Sequence, residues 1–394
     1  MTAFRGPSST RRRACRGTST SRTLGDIVVC SLDPWDDVWR RNQFLVDELL
    51  RRNPLMRVLF VEPAADVLFD LWRRRLPTRP RLRKLSADGR LRAFRPLKAL
   101  PRRLGSMADQ ILLQQVLSAT RLTRLDRPVL WINDVTYAPL IRRTGWPSVY
   151  DVTDDWLLAP SSHREVERLR RLDAVSLDEA DEVIVCSPAL ATSRGERRPV
   201  SLIPNGVDAA HFRRGRPRPA DLPEPPVAVY IGSLHEARLD VDLVVELARG
   251  LPKLNIARVG PNSLETRARE SLRRAGVIPL GPRPYEDIPA YLQHADVAIV
   301  PHVVSPFTDS LDPIKARECL VVGTPTVATP VAGFRELADM LTVVAAEAFV
   351  AAVSDVLEAP SRRPSIGAAA WSDRAEAFTA ILARARSSRQ RRHP

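Results

Sequence analysis

SLDPIKARECLVVG, residues 310 to 323, sets a helix start, a cation and a carboxylate side by side. Asp312 suits the N-cap and Pro313 the first helical position, and the apolar run behind them leads to Gly323, which can end the helix. A helix opening at Pro313 turns free backbone N–H groups and a partial positive charge outward, and Lys315 adds a full charge there. Glu318 lies one turn deeper on the same face. A phosphate at the helix mouth would meet the cation, and a hydroxyl-bearing sugar beside it the carboxylate. The same two residues also fit a surface i,i+3 ion pair. Lysine is scarce, four residues against 56 arginines, which favours a placed Lys315. The following TPTVATPVAG adds a β-branched strand, Thr324 to Ala328, and a Pro and Gly turn.

That helix-to-strand unit repeats along the chain. Strands are expected at 27–32, 57–62, 129–132, 148–152, 183–186 and 200–203, with helices between them such as 38–52 and 163–180. Residues 206–226, rich in Pro and charge, read as a linker, after which strands resume at 227–232, 254–259, 277–280, 297–300, 324–328 and 341–344. The fold class is α/β, with two doubly wound Rossmann-like domains facing a cleft. The boundaries are a disordered basic leader (1–25), a first domain (26–205), the linker, a second domain (227–370) and a basic tail (389–394).

At 394 residues and 44% apolar composition, the chain suits two ordinary globular domains, and no run reaches the ~20 apolar residues of a membrane span. Cys15, Cys30, Cys186 and Cys319 show no metal or redox spacing, and three sit in apolar patterns, as expected of a cytoplasmic protein without disulfides. The net charge of +14 resembles a nucleic-acid signal until it is located. Residues 1–25 carry +6, residues 73–103 carry +12 and residues 384–394 carry +5, leaving the body at −9. No nucleic-acid partner is expected. Residues 67–103 begin VLFDLWRRR, and apolar anchors beside dense arginine suit an anionic membrane surface, as they also suit a solvated loop. A peripheral place at the inner membrane face follows from the first reading.

Polar residues gather at the expected strand ends. Gly232 and Ser233 follow the first strand of the second domain, and Arg238 could reach a phosphate from the start of the next helix. The loop from Gly281 holds Arg283 and Tyr285, which could bind a base or merely connect and pack. In the first domain the ends carry Asp33, Asp36 and Asp37, then Asn133 and Asp134, then Asp151, Asp154 and Asp155. Single acids at such places commonly cap helices, but three clusters could bind an acceptor's hydroxyls or take a proton from one. The generic spacing and lack of a histidine argue against a metal site.

IPNGVDAAHF (203–212), YIGSLHE (230–236), the Gly281 loop with ADVAIVPH, and PIKARECLVVGTPTVATPVAG together resemble glycosyltransferases of GT-B fold, family four or its close relatives, from about Asp26 to the C-terminus. YDVTDDW and DPWDDVWRRNQ resemble the branch found in bacterial envelope-polysaccharide gene sets. The resemblance implies sugar transfer from a nucleotide-diphosphate donor to a saccharide or lipid-linked acceptor, with retention and with neither metal nor cofactor. By position it gives Glu318 the donor ribose and gives Lys315 and Arg238 the diphosphate, with Asp312, Pro313 and Ile314 around them. It also sends a terminal helix, 371–388, back to the first domain. The family's paired glutamates lie eight apart, whereas Ser310, flanked by Asp309 and Asp312, stands eight before Glu318.

Arg238 and Lys315 are then the groups that stabilise the departing diphosphate, and Asp37 or Asp154 stands near the acceptor hydroxyl. Two alternatives stand beside this reading: a sugar-nucleotide 2-epimerase of the same fold, which would bind the same donor without an acceptor, and a non-catalytic basic adaptor for membranes or nucleic acid.

Overall fold

The computed structural model describes residues 25–67, 81–98, 105–358 and 369–392. The expected leader falls almost wholly outside these, as do the apolar and arginine-rich residues 68–80.

Sixteen strands are found among the described residues: β1 (Ile27–Cys30), β2 (Val58–Val61), β3 (Ala65–Asp66), β4 (Arg81–Lys84), β5 (Leu91–Arg95), β6 (Leu97–Lys98), β7 (Val129–Ile132), β8 (Ser148–Val152), β9 (Glu182–Val185), β10 (Ser201–Leu202), β11 (Val227–Ile231), β12 (Asn255–Val259), β13 (Ile278–Gly281), β14 (Val297–Val300), β15 (Thr326–Ala328) and β16 (Thr342–Val343). β1 to β10, without the small β3–β6 pair, make an eight-stranded sheet in the order β10-β9-β8-β7-β1-β2-β5-β4. The later strands make a second sheet, β13-β12-β11-β14-β15-β16, which is parallel throughout. The central strands IVVC, VLFV and VLWI are buried along their whole length, because helices cover both faces of a parallel sheet.

β4 pairs antiparallel with β5. A hairpin at the sheet edge therefore occupies part of the stretch that the sequence presents only as a basic arm. The C-terminal helix Trp371–Arg392 packs on the first sheet, where Trp371, Phe378 and Leu382 join the core around Phe44, Leu45 and Trp131. It runs four residues past 388, so most of the expected basic tail is helical.

In each sheet one strand lies between neighbours reached in opposite directions along the chain: β1 between β2 and β7, and β11 between β12 and β14. Chain crossing to opposite faces at such a point leaves a crevice at the carboxyl ends of the strands. Several bonds join the two sheet domains there. The Asn205 N–H donates to Asp312 Oδ2 (2.5 Å), Asn205 Nδ2 to the Asp312 carbonyl (2.6 Å), and the Tyr285 N–H to the Asp37 carbonyl (2.9 Å).

Candidate active site

The helix Ile314–Val322 carries the site, but it opens one residue later than expected. Pro313 takes the N-cap position, and no side chain caps the turn. The expected cap, Asp312, is engaged elsewhere, with its carboxylate accepting from Asn205 and from Arg317 NH1 (2.7 Å). The uncapped first turn keeps the Ile314 and Lys315 N–H groups for another acceptor, while the Ala316 N–H donates to the Pro313 carbonyl (3.3 Å). The far end follows the sequence, with Gly323 at φ 75° and its N–H on the Cys319 carbonyl.

Lys315 lies across the turn after β11. A methyl group on Gly232, which has φ +150°, would come within 2.5 Å of Lys315 Cε and 2.7 Å of Nζ. Only glycine leaves that space. Lys315 forms no ion pair among the described residues, and Glu318, 8% exposed, makes no hydrogen bond there either. The surface ion pair allowed by the sequence is not formed. Burial pushes the Glu318 carboxyl up to about 7, only partly offset by Lys315. Burial also lowers the Lys315 pKa against the pull of Glu318, and Arg238 lowers it further.

His302, just after β14, completes this pocket. Its Nε2 lies 3.4 Å from the Tyr230 hydroxyl, and its buried Nδ1 has no partner among the described residues. Burial, then Lys315 and Arg238, hold its pKa down to about 3, so the ring is neutral near pH 7.

Arg238 reaches across to the first domain, donating from NH2 to Asp154 Oδ1 (3.2 Å), with its guanidinium 5.5 Å from the Phe307 ring centroid and 6.0 Å from that of Trp156. Asp33 belongs to the same cluster. It pairs with Arg40 (3.2 Å), and burial raises its pKa, with Asp154 adding to the rise and Arg40 and Arg238 opposing it. Lys315, Glu318, Arg238, Asp154, Asp33 and His302 thus gather where the two sheets face each other. Ser233 is half-buried beside Gly232, and Ile314 packs on the first domain's core.

Other expected residues are committed elsewhere. Asp36 accepts from the Val38 N–H and Arg40, and the Asp37 side chain is exposed while its carbonyl holds Tyr285. Asn133 is a buried strut between Leu32, Asn42, Asp151 and Thr153, and Asp134 caps the turn at Thr136. Asp155 forms a two-point pair with Arg194 (2.9 and 3.1 Å). The cause is the same in each case: a carboxylate or amide leaving water takes the nearest N–H or guanidinium donor. Arg283 turns away to Asp221 and the Tyr291 hydroxyl. Tyr285 is wedged among Trp39, Phe44 and His211, with its hydroxyl unpartnered among the described residues.

Ser310, standing where the resemblance calls for a glutamate, is a latch. Its Oγ accepts from the Asp155 N–H (3.1 Å) and donates to the Phe307 carbonyl (2.7 Å), and its own carbonyl accepts from Ser187 Oγ (2.7 Å). Neither flanking acid takes over the glutamate's place, because Asp309 pairs with Arg335 and Asp312 with Arg317. The sequence reading grouped Asp33 with Asp36 and Asp37 without singling it out, and did not select His302. Each stands at a strand end like the residues chosen, but nothing local separates it from them.

Residues 225–359 match the family described as "Glycosyl transferases group 1". A putative teichuronic acid biosynthesis glycosyltransferase, TuaH of Bacillus subtilis (strain 168), is 28% identical over 223 residues, 52% of this chain. The match spans about half of that relative, 56% of its length. Among solved structures, a sucrose-phosphate synthase from Thermosynechococcus elongatus superposes with a TM-score of 0.67 at 20% identity, covering 93% of this chain and 98% of that one. Anabaena HepE in complex with UDP-glucose gives 0.59 at 16% identity, covering 93% and 98%. At such identities these superpositions show the fold, which is GT-B.

Proposed function

We infer, from a chain that belongs to the group 1 glycosyl transferases through residues 225–359 and that takes the GT-B fold, that the protein moves a sugar from a nucleotide-diphosphate donor to a hydroxyl acceptor. The observation that carries this reading is the half-buried Lys315 and the buried Glu318 at an uncapped helix mouth, where neither side chain has an ion-pair or hydrogen-bond partner among the described residues. The diphosphate supplies the missing anion for Lys315 and the helix N–H groups and a second anion, beside Asp154, for Arg238, and a ribose hydroxyl supplies the missing donor for Glu318.

In the reaction the bond between the anomeric carbon and the diphosphate oxygen breaks, and the acceptor oxygen bonds to that carbon. The acceptor's proton passes to a base, and the bond electrons leave with the nucleoside diphosphate. Lys315, Arg238 and the helix dipole stabilise that growing charge, which is the larger part of the catalytic task. Asp33 and Asp154 stand against Arg238 and orient the acceptor hydroxyl or take its proton. Closing the cleft excludes water and limits donor hydrolysis. The family resemblance suggests retention at the anomeric carbon. The likeness to TuaH, by its printed role, favours an envelope polysaccharide, so the acceptor is a saccharide or a lipid-linked saccharide at the cytoplasmic face. The basic stretch 67–103 would bring the protein to that anionic surface.

The test is to incubate the purified protein with a panel of nucleotide sugars, with and without lipid-linked acceptors, and to read nucleotide release. One donor should release nucleotide faster when its acceptor is present. A sugar isomer formed from donor alone would assign an epimerase instead, and no turnover of any donor would overturn the reading.

A further inference from the structure

Ten large hydrophobic side chains stand exposed among the described residues, and four of them, Leu82, Met107, Ile111 and Leu122, line one groove. The groove has a volume of about 530 Å³ and runs between the helix Gly105–Leu122 and the β4–β5 edge of the first sheet, on the buried ring of Phe94. This helix is apolar on two sides. Leu113, Val116 and Ala119 enter the core, while Met107, Ile111 and Leu122 follow a second stripe at helical spacing, 58%, 38% and 73% exposed. A helix that needs only its core stripe has no use for the other, and a contiguous apolar patch of this kind marks a contact.

The rim of the groove is cationic. Antiparallel pairing sets Lys84 opposite Arg92, and like charges directly opposite destabilise a sheet unless an anion lies between or above them. By the two-residue period of a strand, Lys84 shares the face of Leu82, and Arg92 that of Phe94. Arg143 lines the groove as well. Lys84, Arg92 and Arg143 have no acidic partner among the described residues. A second copy of the chain would bring the same cations together, so the rim works against self-association.

We propose that this groove takes an acyl chain of an anionic bilayer lipid, with Lys84, Arg92 and Arg143 meeting the headgroup phosphate, so that the first domain docks on an anionic leaflet through the Gly105–Leu122 helix. The inference rests on the membrane reading above but is independent of the donor chemistry. The helix connects parallel strands, so its Met107 end lies at the carboxyl edge of the sheet, the edge that also borders the cleft.

The test uses the full chain and flotation with vesicles of phosphatidylcholine, alone or doped with phosphatidylglycerol. The protein should float with the doped vesicles only. Ile111→Asp should weaken binding roughly tenfold or more, since a carboxylate would enter hydrocarbon, and Lys84→Glu should weaken it roughly fivefold or more. Nucleotide-sugar binding measured by calorimetry should stay unchanged in both variants and would reveal a misfolded protein. A bimane label on Ser118→Cys should be quenched by lipids carrying a nitroxide along the acyl chain. An unquenched label on vesicle-bound protein would overturn the groove while leaving the basic stretch as the contact. No binding to either vesicle would overturn the membrane reading itself. A dimer in light scattering that Ile111→Asp dissolves would reassign the face to a second copy.

Discussion

The strand ends of the two sheets differ in whether the charged side chains set there have partners. Around the first sheet Asp151 is held by Arg41 and the Trp131 indole, Asp155 by Arg194, and Asn133 by four neighbours. Around the helix Ile314–Val322 in the second, Glu318 is buried and Lys315 half-buried, neither side chain with an ion pair or hydrogen bond among the described residues, and His302 Nδ1 has no partner there. A buried charge without a partner opposes folding, so its retention points to a ligand, whereas a fully paired acid is framework. The comparison separates two sets of residues that look alike in sequence.

The largest expected effect is at Lys315. Lys315→Met should lower turnover about 100-fold or more by removing charge from the leaving group. The same change should leave the melting temperature unchanged or raise it, because an apolar chain replaces a half-buried ammonium that desolvation disfavours and no anion pairs among the described residues. Retained turnover with a falling melting temperature would erase the distinction between the regions. Asp151→Ala should do the reverse. It orphans Arg41 and should cost about 3–5 kcal/mol in urea unfolding, with donor affinity in the folded fraction unchanged.

Glu318 gives the comparison a pH signature. Its folded pKa of about 7 lies above the ordinary 4.5, so the fold holds the proton more tightly than the unfolded chain does. Its contribution is fully present below about pH 4.5, is lost as pH rises toward 7, and is flat above that. The loss is roughly 3 kcal/mol, and Glu318→Gln should remove that slope from chemical-denaturation curves across pH. An unchanged slope would mean that the carboxyl finds a partner in solution.

The smallest effect separates two neighbouring acids. Asp33→Asn should lower turnover roughly tenfold through its contact with the Arg238 and Asp154 cluster, and Asp37→Asn should change it less than about twofold. Equal effects would show that the charged rim as a whole acts on the acceptor.

Much of this was legible in the sequence. Uninterrupted apolar runs gave the parallel strands, because a strand covered on both faces has no polar side to show. Gly323 gave the helix end, and the scarcity of lysine singled out Lys315. The edge hairpin at 81–95 was not legible, since β4 is largely exposed and charged and carries no buried pattern. The expected capping by Asp312 failed for a different reason. Its donor, Asn205, lies 107 residues away, and a local motif contains nothing about such a competitor.

The sequence by itself determined most of the parallel strands, that two α/β sheet domains follow one another, and which short stretch carries a cation one turn above a carboxylate. These are matters of neighbouring residues, of steric preference and of the period at which apolar groups recur. Only the tertiary structure decided that Ser310 latches the two domains, that Asp33 and not Asp37 stands with Arg238, and that Lys315 and Glu318 are left without partners. Whether a polar group is satisfied depends on which donors the folded chain brings within about 3 Å, and most of those come from distant segments.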